Sequence, residues 1–377
     1  MFEKWYLTDL IDDTIKNVWK LTDRYLLKQI DNLIVETGIK THLKDGATVK
    51  GLIDKLGFSP KVLSSIGWLL RRLEMDKYVE SSGEGESKIY RLTSKINNDD
   101  LNAIREEAVT KAPTSVAAFN MLKLMADNYP DYLFGKRTGV DIIFAAENIH
   151  IINEYYSNNL FYNVHNIAGA KILNWDIESR TNPSILEIGG GMGGGTKQFV
   201  SQRIADKRSM GGFKYFFSDI ANKMLRITKK ELLAITPDID SFEFVKCDFN
   251  TDMEAQGYKD LDVIWGVNAA HVAVDLRYTL NEFKKALKTG GALIISETVR
   301  PIGNQMIQQE FLLNTLDDYW NVKLDPPIRP RHGFMDWRDW VLALKEIGFS
   351  QVETVPDMAQ LEKDYDNCYV AVIRAVK

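Results

Sequence analysis

The sequence predicts an α/β fold with a mainly parallel seven-stranded sheet, preceded by a mainly helical N-terminal region. Two observations carry this. From Ser184 onward, short apolar runs alternate with helical patterns, which is the order of a parallel sheet with helices on both faces. Before that point, helical periodicity dominates and is interrupted by a single hairpin pattern.

The elements follow in chain order. Residues 8–42 carry Leu10, Ile11, Ile15, Val18, Leu21, Leu26 and Ile30 at helical spacing. Two shorter helices follow, over 48–56 and from the Ser59-Pro60 start signal to about Met75. Tyr78-Val79-Glu80 and Lys88-Ile89-Tyr90-Arg91-Leu92 flank a Ser/Gly turn and form a hairpin. Three helices and a hairpin is the order of a winged helix. Residues 99–128 read as helical and end at Asn128-Tyr129-Pro130; residues 136–175 read as helical in pieces, at 153–157 and 163–175. The predicted strands are 184–188, 214–218, 242–247, 262–267, 291–297, 351–355 and 367–374. The predicted helices of this part lie near 196–206, 221–234, 275–288, 304–319 and 335–347. The expected domains are 1–98 (winged-helix-like, for dimerisation or as a lid), 99–175 (helical linker and lid) and 176–377.

Bulk properties narrow the function. The 377 residues suggest two domains or one with a large addition, and 45% hydrophobic residues suffice for a sizeable core. A formal net charge of −5 disfavours a general nucleic-acid binder. Cys247 and Cys368 make no disulfide framework, the N-terminus lacks an uninterrupted apolar stretch, and no run approaches the roughly 20 apolar residues that span a bilayer. The expectation is a cytoplasmic protein with no membrane partner.

The most informative segment is Glu187-Ile188-Gly189-Gly190-Gly191-Met192-Gly193-Gly194-Gly195-Thr196, between a strand and a helix. Its glycines permit left-handed backbone and let a ligand approach closely. Gly195-Thr196-Lys197 is the wrong order for a P-loop. Glu187, at the strand's end, would repel a pyrophosphate but suits a cationic ligand with an amino group. S-adenosyl-L-methionine (SAM) is such a ligand.

The pattern Glu187-x-Gly189-x-Gly191-x-Gly193 resembles the first motif of class I SAM-dependent methyltransferases, and further motifs follow in order over about residues 150–377. The resemblance implies a Rossmann-like seven-stranded SAM-binding domain, with S-adenosylhomocysteine (SAH) as product. It implies that Asp219 accepts the ribose hydroxyls, for which paired carboxylate oxygens are apt. It implies that Asp248 and Phe249 meet the adenine, and that Asn268 lies beside the methionine part.

Residues 268–300 resemble the methyltransferase domains of polyketide synthases, which methylate carbon next to a thioester carbonyl. Their catalytic dyad maps onto His271, as base, and Glu297. A base near neutrality suits removal of a proton between two carbonyls, and a carboxylate holds the imidazole tautomer. The substrate implied is a small molecule or a β-keto or malonyl-type acyl group, delivered free or on a carrier protein. Small-molecule O-methyltransferases also place a His here and carry an N-terminal winged helix, which keeps O-methylation of a phenol or hydroxy acid open and leaves room for a homodimer. A third reading is a winged-helix regulator that senses SAM. Lys61, Arg71 and Arg72 would then meet phosphates, against an acidic wing of Glu80, Glu84 and Glu86.

Secondary expectations concern 301–340, whose Gln305, Gln308 and Gln309 either line a pocket or form a solvated helix face, and whose Arg329–Arg331 offer a basic patch for a carrier. Tyr155 and Tyr156 either act in a lid or pack in the core. His332 with His271 and a Gln or Glu offers a metal site that the spacing does not demand, and no metal is assigned.

Overall fold

A computed structural model describes residues 10–365 and 367–377; the first nine residues, part of the N-terminus expected to lack a leader, lie outside them. The chain divides into two compact units. Among the described residues, one comprises 12–161 together with 305–320, and the other comprises 10–11, 162–304 and 321–377.

The first unit opens with α1 (Asp13–Glu36), α2 (Ile39–Leu43), α3 (Val49–Leu56) and α4 (Leu63–Met75). Gly38, left-handed at φ 79°, breaks the single helical run that periodicity suggests. β1 (Val79–Ser82) and β2 (Ile89–Leu92) pair antiparallel, as the hairpin pattern predicts. Then come α5 (Leu101–Lys111), α6 (Val116–Leu133), α7 (Gly139–Ile143), α8 (Ile149–Ser157) and the start of α9 (Leu160–Glu178). The stretch predicted as one helix over 99–128 is two, because Ala112-Pro113 cannot carry the first onward. Pro130, expected to end it, sits inside α6. There Phe134 N–H still bonds to the Pro130 carbonyl at 3.0 Å, and buried Tyr129 is tied to Asn314 at 2.7 Å.

This unit's core joins α1 to α6 through Tyr25 and Phe119, edge to face at 4.9 Å. Residues 305–320, far away in sequence, belong here for equally specific reasons. Buried Arg72 pairs with Asp23 at 2.6 Å and Asp76 at 3.1 Å and donates to the Met306 carbonyl at 2.6 Å. Trp68 Nε1 donates to Glu310 at 3.3 Å, and Tyr129 stacks on Phe311 at 5.0 Å. These contacts explain why the units differ from the sequence-drawn boundaries at 98 and 175. They also correct the long helix expected over 304–319, which is two single turns, α13 (Glu310–Leu313) and α14 (Asp317–Trp320).

The second unit holds the rest of α9, then β3 (Ser184–Glu187), α10 (Gly194–Ala205), β4 (Lys214–Asp219), α11 (Asn222–Ile235), β5 (Phe242–Lys246), β6 (Leu261–Val267), α12 (Leu276–Ala286) and β7 (Leu287–Thr298). After residue 320 follow α15 (Trp337–Glu346), β8 (Ser350–Val355), α16 (Met358–Asp364) and β9 (Val370–Val376). The sheet has seven strands in the order β5-β4-β3-β6-β7-β9-β8. β3 to β7 run parallel, and β9 is antiparallel to both β7 and β8. The chain order reverses between β3 and β6, so the crevice beyond their carboxyl ends is where such sheets receive ligands. Ile185, Leu186, Val263, Ile264 and Trp265 are fully buried, as the central strands of a two-sided sheet must be.

Candidate active site

The glycine loop leaves β3 at Glu187 and enters α10 at Gly194. Gly189, Gly191 and Gly193 have φ of 55°, 52° and 70°, so alternate positions require the left-handed backbone that glycine adopts without strain. A Cβ at Gly193 would also strike Thr228, whose hydroxyl donates to the Gly191 carbonyl at 3.1 Å. At Gly191 a Cβ would meet only the Gly189 carbonyl, at 3.9 Å. The middle of the loop is therefore its open side.

Glu187 sits differently from the residue expected to face a cation. It is 1% exposed, and its Oε2 accepts from the hydroxyls of Thr196 and of Tyr215, the latter at 2.7 Å. Trp265 Nε1 donates to the same tyrosine oxygen at 3.0 Å. Burial pushes the acid up to about 7, while the two hydroxyls pull it down. Glu187 thus ties the loop and α10 to β4 from beneath. Asp219 ends β4 with Oδ2 accepting from Gly191 N–H at 2.9 Å and Oδ1 from Ala221 N–H at 2.7 Å. Each oxygen keeps a lone pair for another donor.

Asp248 is half-buried and accepts from the Asn250 backbone at 3.0 Å. Phe249 follows it, nearly buried, with Cε1 3.6 Å from where Gly189 would carry a Cβ. Asn268 leaves β6 with φ 49°, a conformation that costs a non-glycine residue energy and clusters at functional sites. Its Oδ1 accepts from Thr298 N–H at 2.6 Å, and its Nδ2 is buried without a hydrogen-bond partner.

His271 and Glu297 lie on neighbouring parallel strands' ends and meet: His271 Nδ1 is 2.8 Å from Glu297 Oε2. Glu297 is fully buried, and its Oε1 accepts from Ala270 N–H at 2.8 Å. A carboxylate only accepts, so Nδ1 carries the proton and Nε2 keeps its lone pair. The ring rests against Phe334, with centroids 4.8 Å apart.

One unit thus gathers Glu187, the loop glycines, Asp219, Asp248, Phe249, Asn268, His271 and Glu297 at the carboxyl ends of β3 to β7. Gln305, Gln308, Gln309, Tyr155 and Tyr156 belong to the other unit. Gln308 and Gln309 are buried, which removes the solvated-helix reading. Tyr155 is buried, and desolvation pushes the half-buried Tyr156 phenol up to about 12. Arg329 and Arg331 form no basic patch: Arg329 is 1% exposed and donates to the Gly333 carbonyl at 2.9 Å, and Arg331 pairs with Asp339 at 2.6 Å. Arg72 is likewise spent on its internal ion pairs, against a phosphate-binding role. Among the described residues no three His, Cys, Asp or Glu side chains are grouped to hold a metal, and none has a helix able to cross a membrane.

Sequence reasoning missed Thr196, Tyr215, Thr298 and His165. Thr196 directly ends the glycine motif and was legible as its hydroxyl. His165 lies 133 positions from Thr298, to which it bonds, and carries no local signal.

A glycine loop on a switch-point sheet, with a carboxylate closing the next strand beside it, is the arrangement of class I SAM-dependent methyltransferases. Residues 138–316 match the ubiE/COQ5 methyltransferase family. The chain is 26% identical over 291 residues to highly reducing polyketide synthase 2 of Gibberella zeae, covering 74% of this chain and 10% of that protein. It is 25% identical over 260 residues to polyketide synthase PksM of Bacillus subtilis, covering 67% and 6%. It thus spans about a tenth of the length of the curated relatives it matches. Two solved structures share its fold. The CurJ carbon methyltransferase has a TM-score of 0.79 at 19% identity, covering 98% of this chain and 95% of that one. The citrinin polyketide synthase CMeT domain has a TM-score of 0.79 at 17% identity, covering 99% and 94%.

Proposed function

We propose that the chain is a C-methyltransferase that acts on an activated carbon of a β-keto or malonyl-type acyl group presented as a thioester on a carrier. The observation that carries this reading is the His271–Glu297 pair. A buried carboxylate 2.8 Å from Nδ1 leaves Nε2 as a base in an oriented ring, two residues beyond Ala269, which packs against Gly189. Such a base suits removal of the proton between two carbonyls, and the carboxylate steadies the imidazolium that forms. The names of the solved carbon methyltransferases and of the polyketide synthase relatives support the same substrate class.

SAM, when bound, supplies an electrophilic methyl group on a sulfonium. For its binding the chain offers the open side of Gly191, the spare lone pairs of Asp219 for ribose hydroxyls, and Asp248 with Phe249 for adenine. Glu187 holds the loop's shape from below. Asn268, with an amide N–H₂ still to be met, suits the methionine carboxylate. His271 takes the proton from carbon at Nε2, and Glu297 steadies the imidazolium that results. We assign residues 1–98 a role in dimerisation or as a lid, and residues 99–175 that of a linker and lid.

The test is to incubate the purified chain with SAM and a β-ketoacyl thioester of N-acetylcysteamine and to locate the methyl by NMR. Methyl on the carbon between the carbonyls is expected. Methyl on oxygen, or transfer only to phenols, would overturn the reading.

A further inference from the structure

Ser296 and Thr298 flank Glu297 and point to the opposite face of β7, as alternate strand residues do. Both meet His165 on α9. Ser296 Oγ donates to the His165 carbonyl at 2.9 Å, and Thr298 Oγ1 lies 3.2 Å from His165 Nε2. His165 is 1% exposed and packs edge-on against Tyr369, at 5.7 Å. Its Nδ1 is buried and has no hydrogen-bond partner among the described residues.

The hydrogen bonds decide the tautomer. Thr298 is buried, and among the described residues its hydroxyl meets no other acceptor than His165 Nε2. If Nε2 accepts that proton, only one group, Nδ1–H, stays unmet. If Nε2 carries a proton instead, both the threonine hydroxyl proton and the Nδ1 lone pair stay unmet. An unmet buried polar group costs about 1–3 kcal/mol, so the first arrangement wins and leaves an N–H donor waiting for an acceptor. Burial pushes the imidazole down to about 3, and the nearby His271 adds to this, so His165 is neutral at working pH. A neutral imidazole can polarise a carbonyl without bringing a second cation beside the base.

Thr298 organises more than His165. Its backbone N–H holds Asn268 by Oδ1, so one residue next to Glu297 anchors two groups that each retain a buried donor. Asn268 follows directly on β6, the next residue, Ala269, packs against Gly189, and His165 comes from α9.

We propose that His165 Nδ1–H hydrogen-bonds the carbonyl oxygen of the acyl substrate on which negative charge develops. This deepens the C-methylation reading and rests on it. His271 Nε2 takes the proton from carbon; the C–H electron pair becomes the C=C bond of an enolate, and the charge goes to the oxygen that His165 meets. The enolate carbon then bonds the methyl carbon as its bond to sulfur breaks, which leaves neutral SAH, and His271 releases its proton to solvent. No other reactant is needed. A preorganised donor at a developing oxyanion is worth about 10²–10³ in rate.

The experiment follows exchange of the carbon-bound proton of the β-ketoacyl thioester in D₂O, with SAH present and the spontaneous rate subtracted. It reads proton removal apart from methyl transfer. The expected result is that His165→Leu slows exchange by roughly 10²–10³, with SAH affinity within a few-fold of wild type. His165→Gln, which keeps an N–H, loses less. Equal rates in wild type and His165→Leu, or equal losses in Leu and Gln, overturn the proposal while C-methylation stands. A wild-type chain that neither exchanges nor methylates the thioester overturns both. If His165→Leu does not fold, Thr298→Val decides: it removes the hydroxyl that sets the tautomer, so slowed exchange supports the assignment and an unchanged rate overturns it.

Discussion

The two halves of the parallel sheet solve different problems with different atoms. At the ends of β3 and β4, the proposed site is built from backbone: left-handed glycines, and a carboxylate held by two main-chain N–H groups. At the ends of β6 and β7 it is built from side chains, with His271 on Glu297, and Asn268 and His165 on Thr298. A cosubstrate that never changes can be met by a rigid main chain. A proton that must move needs groups with tunable acidity, and only side chains supply those.

This contrast is sharpest where the two halves should fail separately. His271→Ala is expected to cut turnover by roughly 10²–10⁴ while leaving SAH affinity within a few-fold. Parallel loss of SAH binding would erase the division of labour. Asp219→Ala should do the reverse and weaken SAH binding by about 10- to 100-fold, since hydrogen bonds to a charged group contribute about 1.5–3 kcal/mol. Calorimetric titration reads this directly, and an unchanged affinity would remove Asp219 from the ribose.

Within the loop, two neighbouring glycines should differ. Gly190→Ala drives a methyl into the Phe217 ring and should destabilise the fold by about 1–3 kcal/mol. Gly191→Ala meets open space, so it should cost only about 1–2 kcal/mol of backbone strain, yet lose more SAH affinity than Gly190→Ala. Urea unfolding and titration of both variants would expose the opposite order if the open side of Gly191 does not face the ligand.

The last contrast concerns the pH response of Glu187. Its acid is raised from 4.5 to about 7 by burial, so the folded state prefers the protonated form. The stability this lends is complete below the unfolded value near 4.5 and is lost as pH climbs toward 7. Glu187→Gln cannot ionise. Its melting temperature relative to wild type should therefore rise between pH 5 and pH 8, and a flat difference across that range would mean Glu187 stays ionised throughout.

Much of the site was legible because its signals are local. Period-two and period-3.6 patterns marked the strands and helices, and the E-x-G-x-G-x-G spacing marked the loop whose alternate positions turn out left-handed. Where local signals compete with packing, the sequence misleads: Pro130 is carried inside α6 by the burial of Tyr129, and 305–320 joins a helical unit far away in sequence through Arg72, Glu310 and Asn314. Glu187 reads as facing a cation, but its carboxylate turns to Thr196 and to Tyr215, a partner contributed by another strand.

By itself, then, the sequence determined the strand–helix order, the glycine loop, and the residue types at the strand ends, because each depends on chemistry within a few neighbouring residues. Only the tertiary structure decided which of those residues meet. Adjacent parallel strands bring Glu297 to His271 across 26 positions, and the packing of α9 on β7 brings His165 to Thr298 across 133. Such pairings are set by sheet order and register, and those are settled by how the whole core closes rather than by any short stretch of chain.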